Sequence, residues 1–177
     1  RERKYSTLVS NLPGFIYRCA NDKNWTIHFI SDGCKNITGY SQNDFIKNKK
    51  VTFNNIIHPD YQKAIWEKWQ TTLKDKTFFE FEYPIITKTG KLKWVWERGK
   101  GIYSNNGKLL FLEGFIEDIT ERRTAVESLR LKNIVFESSI AANSIANLDG
   151  KIIDANSAFL KLWGYANKNT VLGKSLN

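Results

Sequence analysis

The sequence predicts an α+β fold: a five-stranded antiparallel sheet with helices against one face, then a connector helix and the opening of a second similar unit. Three observations carry this. Residues 78–88 alternate Phe79, Phe81, Tyr83 and Ile85 with Glu80 and Glu82, the period of a strand with one buried face. Residues 60–74 place Tyr61, Ala64, Ile65, Trp69 and Leu73 at steps of three and four, the period of an amphipathic helix. The turn Asn105-Asn106-Gly107, whose Asn-Gly pair suits a tight hairpin, leads into the apolar strand 108–118. There the pattern changes from strand to helix at Thr120, which can cap the helix, while Glu121 puts an acid in its first turn.

The elements follow in order. Residues 1–11 read as a short helix with Tyr5, Leu8 and Val9 on one side, broken by Leu12-Pro13-Gly14. Residues 15–20 and 25–31 read as two strands of a hairpin across the polar turn 21–24, with Ile27 and Phe29 on one face. Short helical pieces come next. One ends at Gly39, which suits a C-cap; one starts at Ser41 with Phe45 and Ile46 as its apolar side; one covers 53–57 and stops at His58-Pro59. The long helix follows, then a three-strand meander turned by Thr89-Gly90 and Asn106-Gly107, whose middle strand puts Trp94 and Trp96 on one face and Lys93, Val95 and Glu97 on the other. The helix after Thr120 carries Val126, Leu129, Asn133, Phe136 and Ile140 at alternating steps of three and four, a heptad seam with one polar member. Such a seam serves a helical partner or packing on its own domain equally. Beyond it the chain repeats itself: a small hairpin through Asp149-Gly150, then a helical stretch closed by Gly164-Tyr165, as Gly39-Tyr40 closes the first.

Composition bounds the function. Hydrophobic residues at 41% and aromatics at 14% suffice for a compact core. The formal net charge of +9 could attract nucleic acid. Its lysines are scattered among acids, however, and the densest cluster, Lys47, Lys49 and Lys50, lies in a loop, so a solvated surface is expected. A basic nucleic-acid-binding domain is the alternative from another class, and no helix-turn-helix or RNA-recognition signature accompanies the charge. Cys19 and Cys34 do not make a disulfide framework, and a cytoplasmic location is expected. No run reaches the roughly 18 apolar residues that span a bilayer. Arg1 at the start and the lack of Met read as a fragment of a longer protein, with effector domains expected outside it.

Several segments together resemble the PAS sensor family: Phe29-Ile30-Ser31, Ile37-Thr38-Gly39-Tyr40, Ile57-His58-Pro59-Asp60, Phe81-Glu82-Tyr83, Gly90 with Trp94-Val95, and Gly114 through Asp118-Ile119-Thr120-Glu121-Arg122. The resemblance covers roughly residues 5–122, and a second copy starts near Phe136. It implies a PAS fold enclosing a small pocket, within a bacterial or archaeal signalling protein, often a sensor histidine kinase and sometimes a cyclic-dinucleotide enzyme. The expected division is an N-terminal helix at 1–13, a PAS domain at 14–122, a signalling linker helix at 120–140 and the first part of a second PAS domain at 141–177. Two departures stand out: Pro84 where relatives often carry Arg, and Tyr61 where a second acid usually follows His-Pro-Asp.

Expected ligand-pocket residues are Tyr17, Phe29, Phe45, Phe81, Tyr83, Trp94, Trp96 and Phe115, with Phe15 among the same rings. A filled core and a small-molecule pocket fit these rings equally. Asp118, Ile119 and Thr120 are expected to transmit the signal. No cofactor and no metal are expected. His58 reads as a cap rather than a haem ligand, His28 as facing away, and Cys34 lies outside the motif of flavin-reactive cysteines. Two His and two Cys at these spacings make no zinc site, and no nucleophile elbow or phosphate loop is present, so no enzyme is expected in this stretch. Expected partners are a small molecule, a second copy in a homodimer and an effector domain in the same chain, with no nucleic acid and no membrane contact; a ligand-free dimerisation module is the remaining alternative.

Overall fold

The structure, a computed structural model, describes residues 13–175, so the helix expected over 1–11 lies outside the described residues. The chain divides into two compact units that part between Glu121 and Arg122.

In the first unit β1 (Gly14–Cys19) and β2 (Ile27–Ile30) form a hairpin, and β3 (Phe79–Ile86), β4 (Leu92–Tyr103) and β5 (Leu109–Asp118) form a meander. All pairings are antiparallel, and the order β2-β1-β5-β4-β3 makes one sheet because β5 closes onto β1. Between β2 and β3 run α1 (Gly33–Thr38), α2 (Gln42–Phe45), α3 (Phe53–Ile56) and α4 (Pro59–Asp75). Gly39 ends α1 at φ 81°, a left-handed conformation that needs no Cβ. Ser41 and Asp44 form a reciprocal capping box on α2. His58 caps α4, its Nδ1 accepting the Asp60 N–H at 3.4 Å, with Pro59 in the first turn. The buried faces of these helices and one face of the sheet enclose a single aromatic core, in which the Trp69 and Phe79 rings stack at 4.4 Å.

Two expectations need correction. The second strand begins at Ile27, not Trp25. The Asp22 carboxylate accepts the N–H groups of Asn24 and Thr26 and closes a turn that holds Trp25 at φ 51°. A register shift at Arg18/Cys19 then breaks the two-residue period, so Ile27 and Ile30 are both buried while His28 and Phe29 face solvent. Phe29, 48% exposed, is no pocket residue. On β4 the alternation is as expected but the sense is reversed: Val95, Glu97 and Gly99 face the core, and Trp94 and Trp96 point to the other side of the sheet.

The α5 helix (Thr120–Ser138) crosses the division. It stops short of the expected end near Ile140, which lies beyond it. The second unit holds β6 (Ser144–Ala146), paired with β7 (Ile152–Ala155), and α6 (Ser157–Trp163), ended by Gly164 at φ 70°. Its small core is Ile152, Ala155 and Val171. Asn156 ties this unit together. Its amide donates to the carbonyls of Phe136 at 3.0 Å and Ala141 at 2.9 Å, and its Oδ1 accepts from the N–H groups of Asn143 and Phe159. These bonds satisfy backbone groups that the end of one helix and the start of the next leave without partners.

Candidate functional site

A carboxyl side chain stands at the centre of the inner sheet face. Register places Glu97 between Phe81 of β3 and Ile116 of β5, with Phe15 of β1 next in the same row. Glu97 is buried. Tyr17 Oη donates to its Oε1, Tyr83 Oη donates to Oε2 at 2.5 Å, and Trp69 is a third side-chain donor. Burial raises the Glu97 carboxyl above its ordinary value, and the three donors oppose that by stabilising the charged form. The same burial, with the nearby carboxylate, holds the Tyr17 and Tyr83 hydroxyls well above theirs, so both stay protonated and remain donors. Burial likewise pushes up the Cys19 thiol.

Glycines make this arrangement possible. Gly114 pairs Tyr17 on one side and Gly99 on the other. A Cβ on Gly114 would stand 2.6 Å from the Tyr17 hydroxyl, and one on Gly99 2.8 Å from the Trp69 ring. Without them both rings can lie close against the sheet and reach Glu97.

Tyr17, Cys19, Trp25, Ile27, Phe53, Ile57, Ile65, Trp69, Tyr83 and Glu97 line a cavity between sheet and helices. Its free volume is about 10 Å3, about the room one water needs. Of the expected pocket residues, Tyr17 and Tyr83 line it. Phe45 is buried nearby, packed on Tyr40 and Phe53, and Phe15 packs edge-on against Phe53 at 6.3 Å. Phe81 is half-buried against Phe79 and Tyr83. Trp94, Trp96 and Phe115 are not brought to the cavity. Trp94 meets Tyr61 edge-on at 5.8 Å, Trp96 donates to Glu80 at 3.1 Å, and Phe115 pairs Arg98 on the outer face. Sequence reasoning missed Glu97, Trp25 and Trp69 as a group. The available signal was a Glu in phase with Val95 on a strand otherwise suited to burial.

The exit junction lies on the same strand. The Thr120 hydroxyl accepts the Trp94 N–H at 2.9 Å and donates to the Trp94 carbonyl, which also accepts the Ile119 N–H at 2.9 Å. Asp118 accepts the Thr120 N–H at 3.0 Å and pairs with Lys93 at 2.8 Å. Partial burial raises the Asp118 carboxyl, but Lys93 and Thr120 outweigh it and hold the group below its ordinary value. Ile119 is buried. Along α5, Val126 and Leu129 are 61% and 67% exposed, Asn133 is exposed, and Phe136 is half-buried with Lys168 over its ring. Ile140 is fully exposed outside the helix and drops from the seam. Leu131, Ile134 and Val135, not counted in the seam, are exposed as well.

His28 is exposed on β2, and the His58 side chain is taken up in its cap. Both cysteines are free and buried, and burial pushes the Cys34 thiol up to about 12. Among the described residues no three His, Cys, Asp or Glu gather where a metal could sit.

Comparison with known proteins agrees with this architecture. A family model described as PAS fold matches residues 27–116, and one described as PAS domain matches residues 129–177. A methyl sulfide methyltransferase-associated sensor from Methanosarcina acetivorans is 27% identical over 74% of this chain and 13% of its own length. A blue-light-activated histidine kinase from Brucella ovis is 26% identical over 75% of this chain and 28% of its own length. The chain thus spans a small part of the curated relatives it matches. The solved structure of a sensory box histidine kinase/response regulator from Burkholderia thailandensis superposes with a TM-score of 0.58 at 22% identity, covering 73% of this chain and 95% of that one. The chain belongs to the PAS family of sensory signal-transduction domains, with one match over its first unit and another beginning within α5.

Proposed function

We propose that this chain is the sensing and relay part of a longer, cytoplasmic signalling protein, in which the state of the pocket around Glu97 is passed through β4 to α5. The observation that carries this is the placement of both ends on one strand. Glu97 sits in the pocket wall, and Trp94, three residues earlier, holds Thr120 by its backbone N–H and carbonyl. Three strand residues span only about 10 Å, and a paired strand moves as a unit over that length. A change in the hydrogen bonds of Glu97 that shifts β4 therefore reaches the first turn of α5 directly.

The effector is a histidine kinase or a cyclic-dinucleotide enzyme elsewhere in the protein; kinases appear among the relatives. No helix among the described residues is long and apolar enough to cross a membrane. A homodimer forms along α5 through the exposed apolar residues Val126 and Leu129, with the exposed Asn133 as the polar member of the seam. A ligand-free relay is the second reading, favoured by a cavity with room for only one water.

The test is Thr120→Val in the full-length protein. It keeps shape and removes the hydroxyl that joins Trp94. Pocket integrity is followed by near-ultraviolet circular dichroism, and output by autophosphorylation or nucleotide cyclisation. The expected result is an intact pocket with output that no longer responds to stimulus; normal regulation would sink the relay.

A further inference from the structure

Among the described residues, two carboxylates are buried, Asp44 and Glu97. Asp44 pairs with Lys50 at 2.9 Å. Glu97 has no Lys, Arg or His beside it; its partners Tyr17, Tyr83 and Trp69 are all neutral. Neutral donors stabilise a carboxylate but leave its charge uncompensated, a costly arrangement in a dry interior.

The cavity lies against this charge. The faces and edges of Tyr17, Trp25, Trp69, Tyr83 and Phe53 make much of its wall. Aromatic faces attract cations and offer little to water, which needs two to four hydrogen-bonding partners. Both tyrosine oxygens donate to Glu97 and keep lone pairs that can accept, and the Cys19 sulfur is a further weak acceptor. The space is that of one water. An alkali ion of similar size would need a shell of oxygen ligands, which ring-lined walls do not provide.

We propose that this cavity is a binding site for a cation the size of one water, the ammonium ion. Glu97 is its counter-ion, the Tyr17 and Tyr83 oxygens accept its N–H groups, and Trp25 and Trp69 supply cation–π walls. The proposal rests on the sensory reading above and names the ligand class of the same pocket. It explains why a carboxylate occupies the middle of an otherwise apolar sheet face. Cation binding also has a consequence at Glu97: a positive neighbour favours the charged carboxylate and lowers its pKa, while Tyr17, Tyr83 and Cys19, the other titratable groups facing it, stay protonated at neutral pH.

The experiment is an NMR titration of the whole 177-residue chain at neutral pH and constant ionic strength. The probes are ammonium chloride, methylammonium chloride, tetramethylammonium chloride and potassium chloride, read at the backbone amides of Gly99 and Gly114. The expected result is saturable shifts with ammonium, none with potassium, methylammonium or tetramethylammonium, and a downward move of the Glu97 carboxyl titration when ammonium is present. Glu97→Gln should weaken binding by roughly tenfold or more, the size of one lost charged contact. Should Glu97→Gln fail to fold, Tyr83→Phe serves instead, since it keeps the ring and loses one acceptor, and it should weaken binding by a smaller factor. An equal response to potassium, no saturable shift with ammonium, or unchanged binding in the Glu97 and Tyr83 variants would each overturn the site. Thr120→Val in the full-length protein reads the relay separately, so an empty titration beside lost regulation removes the cation and leaves the relay standing.

Discussion

Removing one hydroxyl should test whether Glu97 is held as a charge. In Tyr83→Phe the ring stays stacked beside Phe81, and only the oxygen 2.5 Å from Glu97 Oε2 is lost. The void left is one atom in size, so packing contributes little. What is lost is a hydrogen bond to a charged group, about 1.5–3 kcal/mol at neutral pH. For a domain of this size a loss of about 2 kcal/mol lowers Tm by roughly 8 °C. The pH dependence is the sharper signature. Burial raises the folded pKa of Glu97, so the native state binds its proton more readily than the unfolded chain does. That contribution to stability is full below the ordinary glutamate value and is lost as pH rises through the folded value. Tyr83 is one of the groups pulling the folded value down, and its removal raises it further. The gap between wild type and Tyr83→Phe should therefore be widest at neutral pH and narrow in acid, where Glu97 is protonated in both. Urea melts followed by tryptophan fluorescence at several pH values measure it. A gap independent of pH would refute the account, because the hydroxyl would then not be bonding an ionised carboxylate.

The other expectations are simpler to state. Gly114→Ala should destabilise by about 1–3 kcal/mol, since its Cβ would drive the Tyr17 hydroxyl from Glu97, and Tyr17→Phe should cost less in the Gly114→Ala chain than alone; an equal cost in both backgrounds would place the clash elsewhere. Val126→Glu with Leu129→Glu sets like charges along the exposed stripe of α5 and should convert a dimer to monomer by light scattering, whereas a wild type already monomeric at high concentration removes the seam. Purified protein should be colourless; a Soret band or a flavin spectrum that survives desalting would overturn the expectation of no such cofactor.

Much of the fold was legible because its signals are local. The long helix, the meander and its Asn-Gly turn come from period and turn chemistry, which neighbouring elements rarely override. The candidate site was legible only by half. Tyr17 and Tyr83 are visible as aromatics in phase with a buried face. Phe29 was misplaced because a bulge across the hairpin resets the alternation, and a bulge leaves no mark in composition. The β4 tryptophans were misplaced for a different reason. Trp94 and Trp96 outweigh Val95 and Glu97 in apolar surface, so a pattern argument turns them inward. The fold turns Glu97 inward instead, because Tyr17, Tyr83 and Trp69 come from three other elements to meet it. No reading of one strand contains that fact. Trp25 adds a third case: its burial follows from an Asp22 turn that holds the backbone left-handed, where period arguments do not apply.

The pocket and the exit of the first unit also respond to acid in opposite directions. Glu97, raised by burial, favours the folded state more strongly as pH falls. Asp118, held down by Lys93 and Thr120 against its own partial burial, contributes stability that is present above the ordinary aspartate value and lost as pH falls through its lower folded value. The two groups are close in the ladder, since Val95 pairs Asp118 and Glu97 is two residues along β4. Acid below the ordinary aspartate value should therefore keep the pocket closed around a protonated Glu97 while it loosens the Asp118–Lys93 clasp at the start of α5. Amide exchange can separate the two: protection at Thr120 should fall before protection at Gly99 as pH is lowered, after correction for intrinsic rates. If both fall together, β4 does not divide into an inner and an outer end, and the junction has no stability of its own to be modulated by the pocket.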